Sequence, residues 1–192
     1  RLENPAAVLA ANTDKVYLRE LAHRGVRTVA TGWIERPDDA EAVVSAMRGR
    51  HGSRLVVKPT VSASARGTIV TADPVEAVAH ARLVLAQGFG AMVQPYLDAV
   101  EGEGETSVLV IDGRITHAVR RAPALVEGGS GAAFGEVVPV TDELRDAVVA
   151  VLAAAEAETM LYARVDLVRD RDGDLALMEL ELTEPSLFLP LF

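Results

Sequence analysis

Three acids stand inside apolar runs of one short segment, "ARVDLVRDRDGDLALMELELTEPSLF" (residues 163–188): Asp166, Glu179 and Glu181. The segment reads as two strands joined by a tight "DRDGD" turn, and the period of two places Glu179 and Glu181 on one strand face, where the hairpin brings Asp166 beside them. Three carboxylates crowded into a partly buried site need a counter-charge. Hard oxygen ligands on rigid strands suit magnesium, which commonly takes one or two carboxylates together with substrate phosphates. On that reading, neutralising Glu179 and Glu181 is expected to hold or raise the stability of the metal-free protein. The same acids alternating with Leu180 and Leu182 on an exposed face would carry no chemistry, and spacing alone leaves that alternative open. Asp170, Asp172 and Asp174 in the turn are expected to face only solvent.

Two further stretches carry chemical potential. "VVKP" (56–59) followed by "SASARGT" (62–68) sets an ammonium at a strand end ahead of a loop of small residues. Such a pair can gather a cation and several backbone N–H groups around one phosphate, although an isolated Lys58 could equally end an edge strand in water. The chain has no "GxxxxGK[ST]" loop. In "MVQPYLDAVEGEGETSVLV" (92–110) a strand ending at Gln94, Pro95, Tyr96 and Leu97 is expected to expose backbone donors and acceptors, a geometry suited to a flat base edge. Glu105 enters the next strand where its carboxylate can accept from ribose hydroxyls, while Glu101 and Glu103 read as a solvated acidic loop. His117 is at most a substrate-side candidate. His23, His51 and His80 read as helix-surface residues and Trp33 as a packing residue.

The elements that must position these residues alternate along the chain. Helical spacing follows Asn4 and Pro5, with a second helix expected from about Thr13 to Gly25, a third over "DDAEAVVSAMRGRHG" and a fourth opened by Asp73 and Pro74. "SRLVVKP", "AMVQPYL", "TSVLVID" and "RITHAVRRA" read as strands, the last two joined at Asp112 and Gly113. The glycine-rich "LVEGGSGAAFGE" and the alanine-rich helix "DELRDAVVAVLAAAEAE" precede the acid-bearing hairpin. Helices interleaved with antiparallel strands make an α+β pattern.

Composition excludes several classes. With 192 residues, 49% hydrophobic and 24% charged, the chain can fill a core, and a net charge of −9 argues against nucleic acid as a partner. There is no cysteine, hence no disulfide and no thiolate metal site, and no apolar run approaches a membrane span. A cytoplasmic protein is expected. The chain opens on Arg1 and closes on "SLFLPLF", which reads as part of something longer.

In order, "DK" (14–15), "VVKP", the small-residue loop, "VQPYL", "GETS", "HAVRR" and a terminal "D…E-x-E" hairpin resemble the ATP-grasp superfamily of carboxylate–amine ligases. "ITHAVRR", "YARVDLV" and "MELELTEPSLFL" look most similar to its D-cycloserine-forming cyclo-ligase group. The resemblance implies a glutathione-synthetase-like α+β fold whose two subdomains, each with an antiparallel sheet, grip a nucleotide. It implies a helical lead-in over 1–22, a small subdomain with the phosphate loop over 23–98 and a large, metal-bearing subdomain over 99–192, with the family's N-terminal substrate domain missing.

By the same resemblance Lys15 and Lys58 contact phosphates, and Ser62, Ser64, Arg66 and Gly67 form a covering loop. Gln94, Tyr96 and Leu97 frame adenine and Glu105 holds ribose. Asp166, Glu179 and Glu181 carry Mg2+, with Mn2+ as a substitute, and Arg121 or Arg164 neutralises the transferred phosphoryl group. The implied partners are ATP and a small carboxylate or amino-acid-like substrate, with a homo-oligomer left open. Most relatives have Asn where Glu181 stands, so this metal site gains a negative charge. A nucleotide-binding module of the same fold without turnover is the other reading.

Overall fold

The apolar runs that alternate with period two become strands of two antiparallel sheets, and the runs with helical spacing cover them. The computed structural model describes residues 4–63, 65–122 and 135–191. In chain order the elements are α1 (Ala6–Asn12), α2 (Tyr17–His23), β1 (Gly32–Ile34), α3 (Ala40–His51), β2 (Leu55–Pro59), β3 (Ile69–Thr71), α4 (Pro74–Ala86) and β4 (Ala91–Pro95). They continue with α5 (Ala99–Gly102), β5 (Glu105–Ile111), β6 (Arg114–Arg121), β7 (Glu136–Val138), α6 (Asp142–Ala154), β8 (Tyr162–Arg169) and β9 (Leu175–Glu181). The fold is α+β, as the sequence leads one to expect. Among the described residues no helix is long and apolar enough to cross a membrane.

The chain divides into two compact units, Val29–Tyr96 and Arg1–Thr28 together with Leu97–Phe192. In the first unit the sheet runs β1-β4-β2-β3. Leu55 and Val57 of β2 point inward with Ile34 and Val93, and Val44 of α3 and Ala81 of α4 complete the same core. Lys58 lies on the other face of β2, half-buried. Helix α4 starts where Asp73 and Pro74 direct it: the Asp73 carboxylate accepts from the Val75 N–H at 2.9 Å, and proline occupies the first turn, where its missing donor costs nothing. Pro95 is tolerated in β4, an interior strand, because β1 pairs only as far as Val93 and leaves that side free.

In the second unit the sheet runs β7-β6-β5-β8-β9. β8 is buried from Ala163 to Val168, and α6, capped by the Thr141 hydroxyl on the Leu144 N–H, buries Leu144, Val148, Val151 and Leu152. Among the described residues β9 has a strand partner on one side only, apart from a single parallel bridge between Leu177 and Thr28. Its other edge is met by residues between Asn4 and Thr28, largely through side chains. The Leu177 N–H donates to the Arg27 carbonyl at 2.8 Å. The Leu180 N–H donates to the Tyr17 hydroxyl at 2.9 Å, and the Leu180 carbonyl accepts from the Asn12 amide at 2.8 Å. The Leu182 N–H donates to the Asn12 carbonyl oxygen at 2.9 Å, and the Leu182 carbonyl accepts from the Asn4 amide at 2.8 Å. The β9 edge is thereby closed mostly by side chains in place of a neighbouring strand.

Two local expectations are corrected. The second helix starts at Tyr17 rather than near Thr13, because Asp14 turns its carboxylate onto the Val16 N–H at 3.1 Å and holds the chain in a turn. The turn acids Asp170, Asp172 and Asp174 do not face solvent alone: Arg27 pairs with all three, at 2.6, 2.9 and 2.9 Å.

Candidate active site

Antiparallel register sets the site on one face of the five-stranded sheet. Glu105 and Ser107 alternate along β5, Arg164 and Asp166 along β8, and Glu179 and Glu181 along β9. Ser107 lies opposite Asp166, Asp166 opposite Glu179, and Arg164 opposite Glu181, while Arg121 on β6 faces Glu105. A bulge at Met178 shifts the β8–β9 register after Asp166 without turning the acids away from one another. The carboxylates of Asp166, Glu179 and Glu181 each offer an oxygen within 4.8 Å of the others. Asp166 is buried and the two glutamates are partly exposed, an all-oxygen donor set open on one side that fits a hard divalent cation.

The counter-charge that the sequence reading gives to magnesium is supplied in part by the chain itself. Arg164 reaches Asp166 at 2.8 Å and Glu181 at 2.6 Å, Arg121 reaches Asp166 at 3.0 Å and also pairs with Glu105, and Lys15 reaches Glu179 at 3.1 Å. Four carboxylates therefore meet three cations. Burial would push the Asp166 carboxyl up, but Arg164, Arg121 and the Ser107 hydroxyl, which donates at 2.6 Å, hold it below the usual carboxylate range. Burial pushes Glu181 up to about 7 against the pull of Arg164, with Glu179 and Asp166 adding to the rise. Burial also pushes Glu105 up to about 7, reinforced by Asp166 and opposed by Arg121 and Arg164. The Tyr17 phenol is raised too, by burial first and then by Glu179.

Every implied residue of this unit except Leu97 lies in that network: Lys15, Glu105, Arg121, Arg164, Asp166, Glu179 and Glu181. Leu97, which opens this unit in sequence after Tyr96, is buried. His117 bonds the Leu187 carbonyl at 2.9 Å, and the Phe188 ring lies 6.0 Å from the Arg164 guanidinium carbon. Ser107, Asn12 and Tyr17 went unnoticed in the sequence. Alternation from Glu105 could have flagged Ser107, whereas nothing local marks the other two.

In the Val29–Tyr96 unit Lys58 is the penultimate residue of β2, ahead of the loop that carries Ser62, Arg66 and Gly67. Arg66 is exposed, Gly67 turns with φ +72°, and its carbonyl meets His80 Nε2 at 2.7 Å. Ser64 lies outside the described residues. Gln94 and Tyr96 are buried, the Gln94 amide donates to the Thr31 hydroxyl at 2.9 Å, and Arg54 stacks 3.7 Å over the Tyr96 ring. The expectation that the backbone after Pro95 is exposed fails at Tyr96, whose N–H donates to the Arg54 carbonyl at 2.9 Å.

Residues 12–186 match the model of the RimK-like ATP-grasp domain. The chain is 32% identical to the cycloserine biosynthesis protein DcsG of Streptomyces lavendulae, over 98% of this chain and 68% of that protein. It is 25% identical to a probable alpha-L-glutamate ligase of Chromohalobacter salexigens, over 88% of this chain and 55% of the relative. The crystal structure of D-cycloserine synthetase DcsG superposes with a TM-score of 0.89 at 30% identity, covering 99% of this chain and 68% of that one. The ATP-grasp ligase PsnB with its minimal precursor, Mg and ADP superposes with a TM-score of 0.69 at 20% identity, over 97% of this chain and 55% of that one, a likeness of fold.

Proposed function

Because this chain belongs to the RimK-like ATP-grasp family, we propose that it binds Mg–ATP and activates a carboxylate for attack by a nitrogen nucleophile. The observation that carries the reading is the convergence of Asp166, Glu179 and Glu181 beside two guanidiniums on one sheet face. These acids would hold Mg2+ or Mn2+, which when bound supplies positive charge to the phosphates. Arg164 and Arg121, tethered by Asp166, are oriented to stabilise charge on a transferred phosphoryl group without reorganising during the reaction. The substrate oxygen takes the γ-phosphoryl group as ADP leaves, and the nitrogen then displaces phosphate, so one difficult step becomes two easier ones.

Lys15 and Lys58 are assigned to phosphate, Ser62, Ser64, Arg66 and Gly67 to the covering loop, Gln94, Tyr96 and Leu97 to adenine, and Glu105 to ribose. A small amino-acid-like carboxylate is the substrate class, since DcsG is named for cycloserine biosynthesis and another relative for glutamate ligation. A cytoplasmic location, where ATP and Mg2+ are abundant, suits this chemistry. A nucleotide-binding module without turnover is less favoured, because the relatives are named for biosynthesis and ligation. The test is Mg2+-dependent ADP formation across a panel of amino-acid carboxylates with hydroxylamine as nucleophile. Turnover that requires both Mg2+ and a carboxylate, and that is lost in Glu179→Gln/Glu181→Gln, is expected. Tight ATP binding with no ADP formed for any carboxylate would return the chain to the module reading.

A further inference from the structure

We infer that Asn12 and Tyr17 are positioning residues for the divalent cation, fixing the β9 backbone from which Glu179 and Glu181 project. The inference rests on the proposed metal role of those acids. β9 is an edge strand, and an edge strand lacking a neighbour on one side can shift or fray by more than the few tenths of an ångström that an octahedral oxygen site tolerates. Here the missing neighbour is replaced at the acid-bearing positions. Leu180, between the two glutamates, has its N–H on the Tyr17 hydroxyl and its carbonyl on the Asn12 amide. Leu182, just past Glu181, has its N–H on the carbonyl oxygen of the same Asn12 side chain.

The Asn12 carboxamide thus behaves as one peptide unit of an absent strand, bonded to the backbone on both sides of Glu181. Only a side chain with one donor and one acceptor on a short stem can do so. Lys15, between Asn12 and Tyr17 in sequence, reaches the Glu179 carboxylate at 3.1 Å, so one six-residue stretch fixes both the backbone and a carboxylate of the pair. Groups that orient ligands from behind commonly affect metal affinity by ten- to a hundredfold.

The decisive measurement is Mn2+ binding in the presence of ATP, followed by electron paramagnetic resonance on the whole chain, with melting temperature recorded alongside. Asn12→Ala is expected to weaken Mn2+ by about tenfold and Tyr17→Phe, which deletes only the hydroxyl, by several-fold. Asn4→Ala is the comparator: it removes an amide of the same kind that is bonded to the Leu182 carbonyl just past β9 and to the Tyr162 carbonyl and Leu161 N–H at the start of β8, without bridging Glu181. It is expected to lower the melting temperature while leaving Mn2+ affinity near the parent's. If Asn4→Ala weakens Mn2+ as much as Asn12→Ala, the effect is general loosening and the inference falls. Should Asn12→Ala fail to fold, Tyr17→Phe decides alone, and parental affinity in that variant overturns the inference. A parent chain that binds no Mn2+, or binds it equally well after Glu179→Gln/Glu181→Gln, overturns the metal reading itself. That outcome is distinct from a parent that binds and positioning variants that do not differ from it.

Discussion

Asp166 is the residue on which the charges of the site depend. Its carboxylate is 1% exposed and is shared by Arg164, itself 7% exposed, by Arg121 and by the Ser107 hydroxyl. Removing one member of a buried ion pair costs more than the pair contributes, because the remaining charge stays desolvated and uncompensated. In Asp166→Ala, however, Arg164 keeps Glu181 and Arg121 keeps Glu105, so the cost is that of the lost charge-assisted bonds, and the metal-free protein should be destabilised by about 2–3 kcal/mol, read from urea denaturation at pH 7. Ser107→Ala, which takes one hydrogen bond from a charged acceptor, should cost about 1.5–3 kcal/mol. A metal-free Asp166→Ala protein as stable as the parent would show that Glu181 and Glu105 alone satisfy the two guanidiniums.

At the scale of elements, the acid-bearing hairpin holds together through its turn as well as its ladder. Asp170 accepts from the Asp172 N–H at 2.9 Å, from the Asp174 N–H at 3.2 Å and from Arg27 Nε at 2.6 Å. Partial burial raises its carboxyl, and these bonds, the Arg27 one foremost, outweigh that and hold it below the ordinary aspartate range. A depressed folded-state value means that the contribution is present above the unfolded aspartate range and is lost as pH falls through the folded value. Asp170→Asn keeps the Oδ1 acceptor of both turn N–H groups and loses the charge and the Oδ2 bond to Arg27, so it should lower stability at pH 7 by about 0.5–1 kcal/mol, because a half-exposed ion pair contributes little. The gap between parent and variant should close as pH drops below about 4, as measured by chemical denaturation across pH 3–7. A gap that stays constant over that range would mean that shape, and not charge, holds the turn.

The hairpin and its acids were legible in the sequence because a period of two is a local signal. The Asp73 start of α4 and the strands "VVKP", "VQPYL" and "TSVLVID" were legible for the same reason. Strands β1 and β7, three residues each, are too short to show a period. The partners of the acids were harder to read, because Arg27 and Asp170 are 143 residues apart and Asn12 and Leu182 are 170 apart. No spacing rule joins such pairs. The start of α2 is placed four residues early, near Thr13, because the helical pattern runs through residues 13–16, and only the Asp14 turn decides otherwise.

At the scale of the whole molecule, stability and Mg–ATP binding should be linked, and the two partly exposed glutamates should separate the terms. Any ligand that binds only the folded chain stabilises it by about 2.7 kcal/mol at a hundred times its Kd. For a chain of this size that raises the melting temperature by about 5–10 °C. Relief of repulsion is too simple an account of the acids, because each is already paired with a cation, Arg164 serving both Asp166 and Glu181. Glu181 is already raised to about 7 by burial, and Arg164 keeps Asp166 when Glu181 is neutral. Glu181→Gln should therefore leave the metal-free protein within about 1 kcal/mol of the parent. Glu179→Gln takes a carboxylate from Lys15, whose side chain is 7% exposed, and should cost about 1–3 kcal/mol, less than a fully buried pair because Glu179 itself is 26% exposed. Both variants should lose most of the melting increment with Mg–ATP, since each removes an oxygen from the same cluster. Calorimetric scans of the two variants with and without Mg–ATP read both terms at once. Equal metal-free stabilities would mean that Lys15 does not depend on Glu179, and an undiminished increment in either variant would remove that acid from the metal site.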